Sequence, residues 1–193
     1  SLRNIRRESP GEFYLAVVTA AAVVAIGVEQ GILLAVVLSI FRHVRHSYNP
    51  HAMLFAPDVT GRWVPVPATP GKETNPGLIV YRFGSDLFFA NAKRFADQVR
   101  ALVQSAPTPV RWFVVDAGAI TAIDYSAAQS VRDLIDELKR RSVSFVFARV
   151  SPYLRSDMDR HYITDAVGEK WIFTTLHEAV TAIRGGAPEL ATV

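Results

Sequence analysis

The sequence contains no cysteine, which excludes disulfide bonds, thiolate metal sites and cysteine nucleophiles. It also lacks a G-x-S-x-G nucleophile motif, an H-E-x-x-H metal motif and a G-x-x-x-x-G-K-[ST] phosphate loop. The histidines are not spaced as a ligand set: His43, His46, His51, His161 and His177. We therefore expect no enzyme, no metal site and no bound cofactor, and the missing cysteines are compatible with a cytoplasmic domain.

The sequence also has no large excess of positive charge. The formal net charge is +3, and the first 50 residues hold five arginines against Glu8, Glu12 and Glu29. The remaining residues hold 16 Lys and Arg against 15 acidic residues. A nearly neutral soluble part offers no general attraction for a phosphate backbone, so we expect no nucleic-acid partner.

Charge is almost absent from residues 13–41, where Glu29 and Gln30 are the strongly polar side chains. A membrane-spanning helix needs about 20 apolar residues, whereas a soluble surface helix would show a polar face at every turn. A secretory signal peptide is the alternative, but the run is too long and Arg42 and Arg45 follow it. The run predicts a segment embedded in a lipid bilayer.

Two helices fit this segment better than one, because Gly27 and Gly31 flank the polar pair as they would flank a turn. The predicted helices are Phe13–Val28 and Gly31–Val44, within a membrane unit at residues 1–47. Basic residues at both ends favour an even number of passes, with both ends on the cytoplasmic side: Arg3, Arg6, Arg7, Arg42 and Arg45. Helices this short need neighbouring helices, and a chain that starts with serine predicts a fragment of a longer membrane protein.

Glu29 and Gln30 have two interpretations. A carboxylate within a membrane is a functional candidate. At the tip of a hairpin the same carboxylate would simply face water, and this second interpretation is favoured.

Prolines and glycines are frequent in residues 47–77, which predicts a linker at residues 48–60. Residues 61–66 can still form one edge strand, because Trp63, Val64 and Val66 suit a pleated surface. The predicted soluble domain covers residues 61–186, and residues 187–193 form a tail.

Strands and helices alternate beyond residue 77, which predicts an α/β domain with a mixed, mostly parallel sheet and helices packed on it. The predicted strands are Leu78–Phe83, Val110–Asp116, Val143–Arg149 and Trp171–Phe173. The predicted helices each begin at a capping residue and run from Asn91 to Gln104, Asp124 to Arg141, Ser151 to Tyr162 and Thr175 to Arg184.

Several stretches together resemble one family. Residues 76–83, followed by Asp86–Ala92 with Phe88, Phe89, Ala90 and Asn91, resemble the opening of the STAS domain of sulfate permeases. Val114–Asp116 and Ile123–Ala127 resemble the strand, loop and helix start that STAS domains share. Gly31–Ser39 is similar to the last transmembrane helix of these transporters.

This resemblance implies a C-terminal piece of a SulP-type secondary anion transporter, with a multi-pass membrane location and a cytoplasmic STAS domain for regulation and assembly. It implies a small sheet with helices on one side. The implied partners are the lipid bilayer, the remaining transmembrane helices, a sulfate-like anion, a guanine nucleotide and a second copy in a homodimer.

The turn Asp124-Tyr125-Ser126-Ala127 is the candidate regulatory site. In the soluble relatives, the anti-sigma factor antagonists, the serine that matches Ser126 is phosphorylated. Tyr125 and Ala127 replace the serine and glycine of that pattern, and Asp124 would repel an added phosphate. The simpler interpretation is that Asp124 caps the helix and Ser126 has no regulatory role. Two alternatives to the transporter remain: a membrane-tethered STAS interaction module controlled by phosphorylation, and a nucleotide-sensing domain.

Overall fold

The computed structural model describes residues 10–48 and 50–185, which belong to two compact units that divide at Asn49 and Pro50. The predicted basic flank at Arg3, Arg6 and Arg7 and the tail at residues 187–193 lie outside the described residues.

The first unit is a pair of helices, α1 (Pro10–Ile26) and α2 (Val28–Tyr48). Gly27 separates them with a φ of 108°, which L side chains rarely adopt. A Cβ on Gly31 would lie 3.0 Å from the Cα of Val23, although residues eight apart in a continuous helix are separated by about 12 Å. The chain therefore folds back at Gly27, and the missing side chain of Gly31 allows the close approach.

The predicted turn at Glu29 and Gln30 is wrong in its position. The turn is at Gly27, and both polar residues lie exposed in the first turn of α2. An acidic residue in a first turn is stabilised by the positive end of the helix dipole, which accounts for Glu29 there. Within the described residues, no single helix has both the length and the apolar composition that a bilayer crossing requires.

The second unit is built on a five-stranded sheet in the order β2-β1-β3-β4-β5. The strands are β1 (Ala52–Pro57), β2 (Trp63–Pro67), β3 (Leu78–Phe83), β4 (Trp112–Asp116) and β5 (Ser144–Ala148). β1 pairs antiparallel with both β2 and β3, whereas β3, β4 and β5 run parallel. The mixed sheet is confirmed, but the pairings are divided evenly between parallel and antiparallel.

β1 causes this difference, since it lies inside the predicted linker at residues 48–60. Its central Leu54 is fully buried in the main core. Pro50 precedes the strand and Pro57 is its last residue, and these prolines indicated a linker instead of a strand. β2 is the predicted edge strand.

The helices of this unit are α3 (Phe89–Ser105), α4 (Tyr125–Arg140), α5 (Pro152–Arg160), α6 (Ile163–Val167) and α7 (Leu176–Gly185). α3 and α4 cover one face of the sheet with apolar side chains at helical spacing: Phe95, Val99 and Leu102 from α3, and Val131, Leu134, Ile135 and Leu138 from α4. The ring of Phe113 on β4 stacks on that of Phe145 at 5.7 Å in this core. Burial raises the pKa of Tyr81 beside them, and its hydroxyl donates to Gln98 at 2.8 Å.

The opposite face of the sheet carries a helix as well, which corrects the expectation of helices on one side alone. Ala179 and Ile183 of α7 pack there against alternate strand residues such as Val80, Val114 and Val146. The predicted capping box of α7 is present, because the hydroxyl of Thr175 accepts from the Glu178 amide at 3.1 Å. The predicted last strand at Trp171–Phe173 is instead a 3-10 helix, Glu169–Trp171, followed by a single bridge between Ile172 and Phe147.

Candidate regulatory turn

The side chain of Asp124 caps two helices at once. One carboxylate oxygen, Oδ1, accepts from the amide of Ala127 at 2.8 Å, as predicted for the cap of α4. The other, Oδ2, accepts from the amide of Phe89 at 2.9 Å, at the start of α3. Both N–H groups belong to first turns, which have no acceptor within their own helix. Asp124 therefore joins the starts of two helices that are 35 residues apart in the chain.

Backbone hydrogen bonds fix the same junction. The amide of Leu87 donates to the carbonyl of Ala122, and the amide of Asp124 donates to the carbonyl of Leu87, each at 3.1 Å. Leu87 and Ile123 form a parallel bridge at this point. The family motif at Phe88–Asn91 and the turn at Asp124–Ala127 are thus brought together into one site.

Asn91 supports the motif from inside, because its side chain is fully buried. Its Oδ1 accepts from the amide of Phe88 at 3.0 Å, and its Nδ2 donates to the carbonyl of Asp86 at 2.9 Å. The predicted role of Asn91 as the N-cap is wrong: Phe88 occupies that position, and Asn91 lies three residues into the first turn. The side chain reaches back to the cap amide, as the third residue of a capping box does.

Two further aspartates hold the loop before α4, and neither was predicted to have this role. Asp86 accepts from the amides of Thr121 and Ala122 at 2.6 and 3.1 Å. Asp157 on α5 accepts from the amide of Ile123 at 3.2 Å. These contacts span more than 30 residues, so no local pattern could have indicated them.

The outer surface of the turn at Asp124–Ala127 is exposed. Phe89 and Tyr125 are 69% and 70% exposed. Ser126, which lies between Tyr125 and the buried Ala127, is also exposed. The ring of Tyr125 meets that of His161 edge-to-face at 6.1 Å. A partner or modifying enzyme can therefore reach the hydroxyl of Ser126 without any rearrangement of the core.

The chemistry available at this site is recognition. Both oxygens of Asp124 are occupied by amide donors, so this carboxylate is not placed as a general base. In the parts of the chain that the structure describes, no three histidine or acidic side chains gather as a metal site. The two adjacent helix starts favour negative charge, and the carboxylate of Asp124 already supplies one there.

A mixed five-stranded sheet with two capped helices on one face and α7 on the other defines a small α/β domain. The STAS domain family profile matches residues 69–179, more than half of the chain. The chain therefore belongs to the STAS domain family.

Similarity to curated proteins extends over both units. A probable sulfate transporter of Mycobacterium tuberculosis is 37% identical over 184 residues, which is 94% of this chain and 33% of that protein. Probable sulfate transporter 4.2 of Arabidopsis thaliana is 26% identical over 179 residues, 88% of this chain and 26% of that protein. The chain thus spans about a third or less of the length of these relatives.

A solved structure has the same fold. The anion transporter Slc26a9 from mouse, in an inward-facing state, superimposes with a TM-score of 0.80 at 16% identity, over 95% of this chain and 30% of the transporter chain. At this identity the likeness is one of fold.

Proposed function

We propose that this chain is the C-terminal part of a secondary active transporter for sulfate or a similar anion. In this proposal α1 and α2 lie in the cell membrane as the last helices of a larger transport domain, and the STAS domain lies in the cytoplasm. The similarity to sulfate transporters over 94% of the chain supports it. The anion pathway would be formed by helices that precede residue 1 in the whole protein, since such sites need several helices that meet near the bilayer midplane.

The observation that carries the proposal is the composition of the surface of the first unit. Large apolar side chains are exposed along both helices, including Val17, Val24, Ile32, Leu33, Val36, Ile40 and Phe41. Exposed apolar area costs about 25 cal/mol per Å² in water, and no compensating polar face lies on α1 between Phe13 and Ile26. Lipid or neighbouring apolar helices would remove this cost.

The dimensions are consistent with a bundle. The 17 residues of α1 are about 26 Å long, slightly less than the roughly 30 Å hydrocarbon core. Helices of this length need neighbours or local thinning of the bilayer. A hairpin places both of its ends on one side, and Arg42 and Arg45 favour the cytoplasmic side.

Cysteine labelling tests this topology, because the natural chain has no cysteine to interfere. Val59→Cys, fully exposed on the STAS domain, is expected to react with a membrane-impermeant maleimide in inside-out vesicles alone. Glu29→Cys, in the first turn of α2, is expected to react in right-side-out vesicles alone. Labelling of both positions from the same side would contradict the proposed hairpin.

We infer that the turn at Asp124–Ala127 receives the regulatory signal, either as a bound guanine nucleotide or as phosphorylation of Ser126. The exposed hydroxyl of Ser126 in the first turn of α4 supports this role, and Asp124 opposes an added charge. Assembly as a homodimer belongs to the same proposal.

Titration with GTP tests the nucleotide part. We expect saturable amide shifts at residues 124–130 in the NMR spectrum of the chain, and weaker shifts with guanosine, which has no phosphate. Shifts that grow linearly with GTP without saturating would contradict nucleotide binding at this turn.

A further inference from the structure

A second polar cluster lies at the carboxyl ends of the parallel strands, on the sheet face that also carries α7. Asp116, the last residue of β4, has a fully buried side chain. Its Oδ2 accepts from both Nε and Nη2 of Arg82, at 2.8 and 2.6 Å. The Nη1 of Arg149, just after β5, reaches the same oxygen at 3.5 Å.

The cluster has an excess of positive charge. The other oxygen of Asp116, Oδ1, accepts from the amide of Gly118 at 3.1 Å, so both carboxylate oxygens are occupied. Among the described residues, no other carboxylate lies within ion-pair distance of Arg82 or Arg149. Two guanidinium groups thus share a single carboxylate, and each retains N–H donors while its side chain is 31% or 46% exposed.

Both arginines are held in place before any ligand arrives. The guanidinium of Arg82 lies over the ring of Phe55, 4.8 Å from its centroid. Arg149 has a φ of 60°, and its guanidinium lies so close to Gly118 that a Cβ there would be 2.6 Å from Cζ. A left-handed backbone at a non-glycine residue is strained and is found preferentially at ligand sites.

We propose that Arg82 and Arg149 bind a tetrahedral oxyanion, either free sulfate or phosphate or the phosphate group of a larger ligand. Guanidinium groups donate paired N–H bonds that match the oxygens of such anions, and a second negative charge would balance the second arginine. Ligands of open α/β sheets also tend to bind beyond the carboxyl ends of the strands. This site is separate from the turn at Asp124–Ala127 and does not depend on the transport proposal.

The test is a titration of the full chain in detergent at constant ionic strength, with sodium sulfate or phosphate replacing sodium chloride. The fluorescence of Trp63, Trp112 and Trp171 reports on the STAS domain, which contains all three tryptophans. We expect the thermal midpoint to rise saturably with sulfate and phosphate but not with chloride. Competition of GTP with sulfate would assign the site to a nucleotide phosphate, and binding of the inorganic ions without GTP competition would assign it to the free ions; both support the oxyanion site.

Three variants test whether the sulfate effect arises at Arg82 and Arg149. Arg149→Gln removes one donor group and leaves Asp116 paired with Arg82, so we expect about tenfold weaker sulfate binding. Gly118→Ala keeps every charge but displaces the guanidinium of Arg149, so it should also weaken binding. Arg140→Gln, an exposed change of the same charge at the end of α4, should bind sulfate as the natural chain does. Equal midpoints in sulfate and chloride, or equal losses in Arg149→Gln and Arg140→Gln, would overturn the proposal.

Discussion

Replacement of Val18 by arginine is expected to reduce membrane insertion of the chain by more than 100-fold. Val18 is 46% exposed in the middle of α1, within the apolar run. A charged arginine in the centre of a membrane helix costs about 3 kcal/mol on insertion scales, and every 1.4 kcal/mol is a factor of ten. The measurement is the fraction of chain that stays in the membrane pellet after alkaline carbonate extraction.

Val59→Arg is the matched control, since Val59 is a fully exposed valine in the turn between β1 and β2 of the STAS domain. The same substitution there faces water and is expected to leave the pellet fraction unchanged. If Val18→Arg remained in the pellet as completely as Val59→Arg, α1 would not be embedded in lipid.

Replacement of Asn91 by alanine is expected to lower the free energy of unfolding of the STAS domain by about 3 kcal/mol. Alanine would leave the amide of Phe88 and the carbonyl of Asp86 without the hydrogen bonds that Asn91 now supplies. Each unsatisfied buried polar group costs about 1–3 kcal/mol, and the Asn91 site is completely buried. Urea unfolding, followed by tryptophan fluorescence, measures the change.

Gln104→Ala is the control for this loss, because Gln104 is an exposed amide in the last turn of the same helix. Its effect should stay within about 0.5 kcal/mol. A loss for Asn91→Ala no larger than that for Gln104→Ala would mean that the buried hydrogen bonds do not hold the start of α3.

Local chemistry made three helix starts of the second unit predictable. Asp124, Ser151 and Thr175 each accept from an amide three residues later, and such caps depend on a few adjacent residues. The apolar spacing in α4 likewise predicted its buried face without knowledge of the sheet. These features hold because sequence neighbours are also spatial neighbours in a helix.

Contacts between distant residues could not be predicted in this way. β1 is stabilised by pairing with β2 and β3, and its own residues lie between prolines in a stretch that resembles a linker. The second hydrogen bond of Asp124, to Phe89, depends on how two loops meet. The pairing of Arg82 with Asp116 depends on the parallel register of β3 and β4, which places these residues opposite each other.

The fold-back at Gly27 shows a further limit of prediction from sequence. The glycines near the polar pair indicated a turn, but two of them were available, and the apolar residues around both gave no further information. Gly27 adopts the left-handed conformation, whereas Gly31 provides space against Val23. The role of each glycine follows from backbone geometry that residue type alone does not specify.

The helical pair is proposed to be embedded in lipid and joined to a water-exposed STAS domain. The most direct measurement is flotation of the unaltered chain with liposomes in a density gradient after an alkaline wash. We predict that the chain rises with the lipid and that protease added outside the liposomes removes the STAS domain of outward-facing molecules while a fragment containing α1 and α2 stays with the vesicles. A monomeric chain that remains at the bottom of the gradient without detergent would contradict the account.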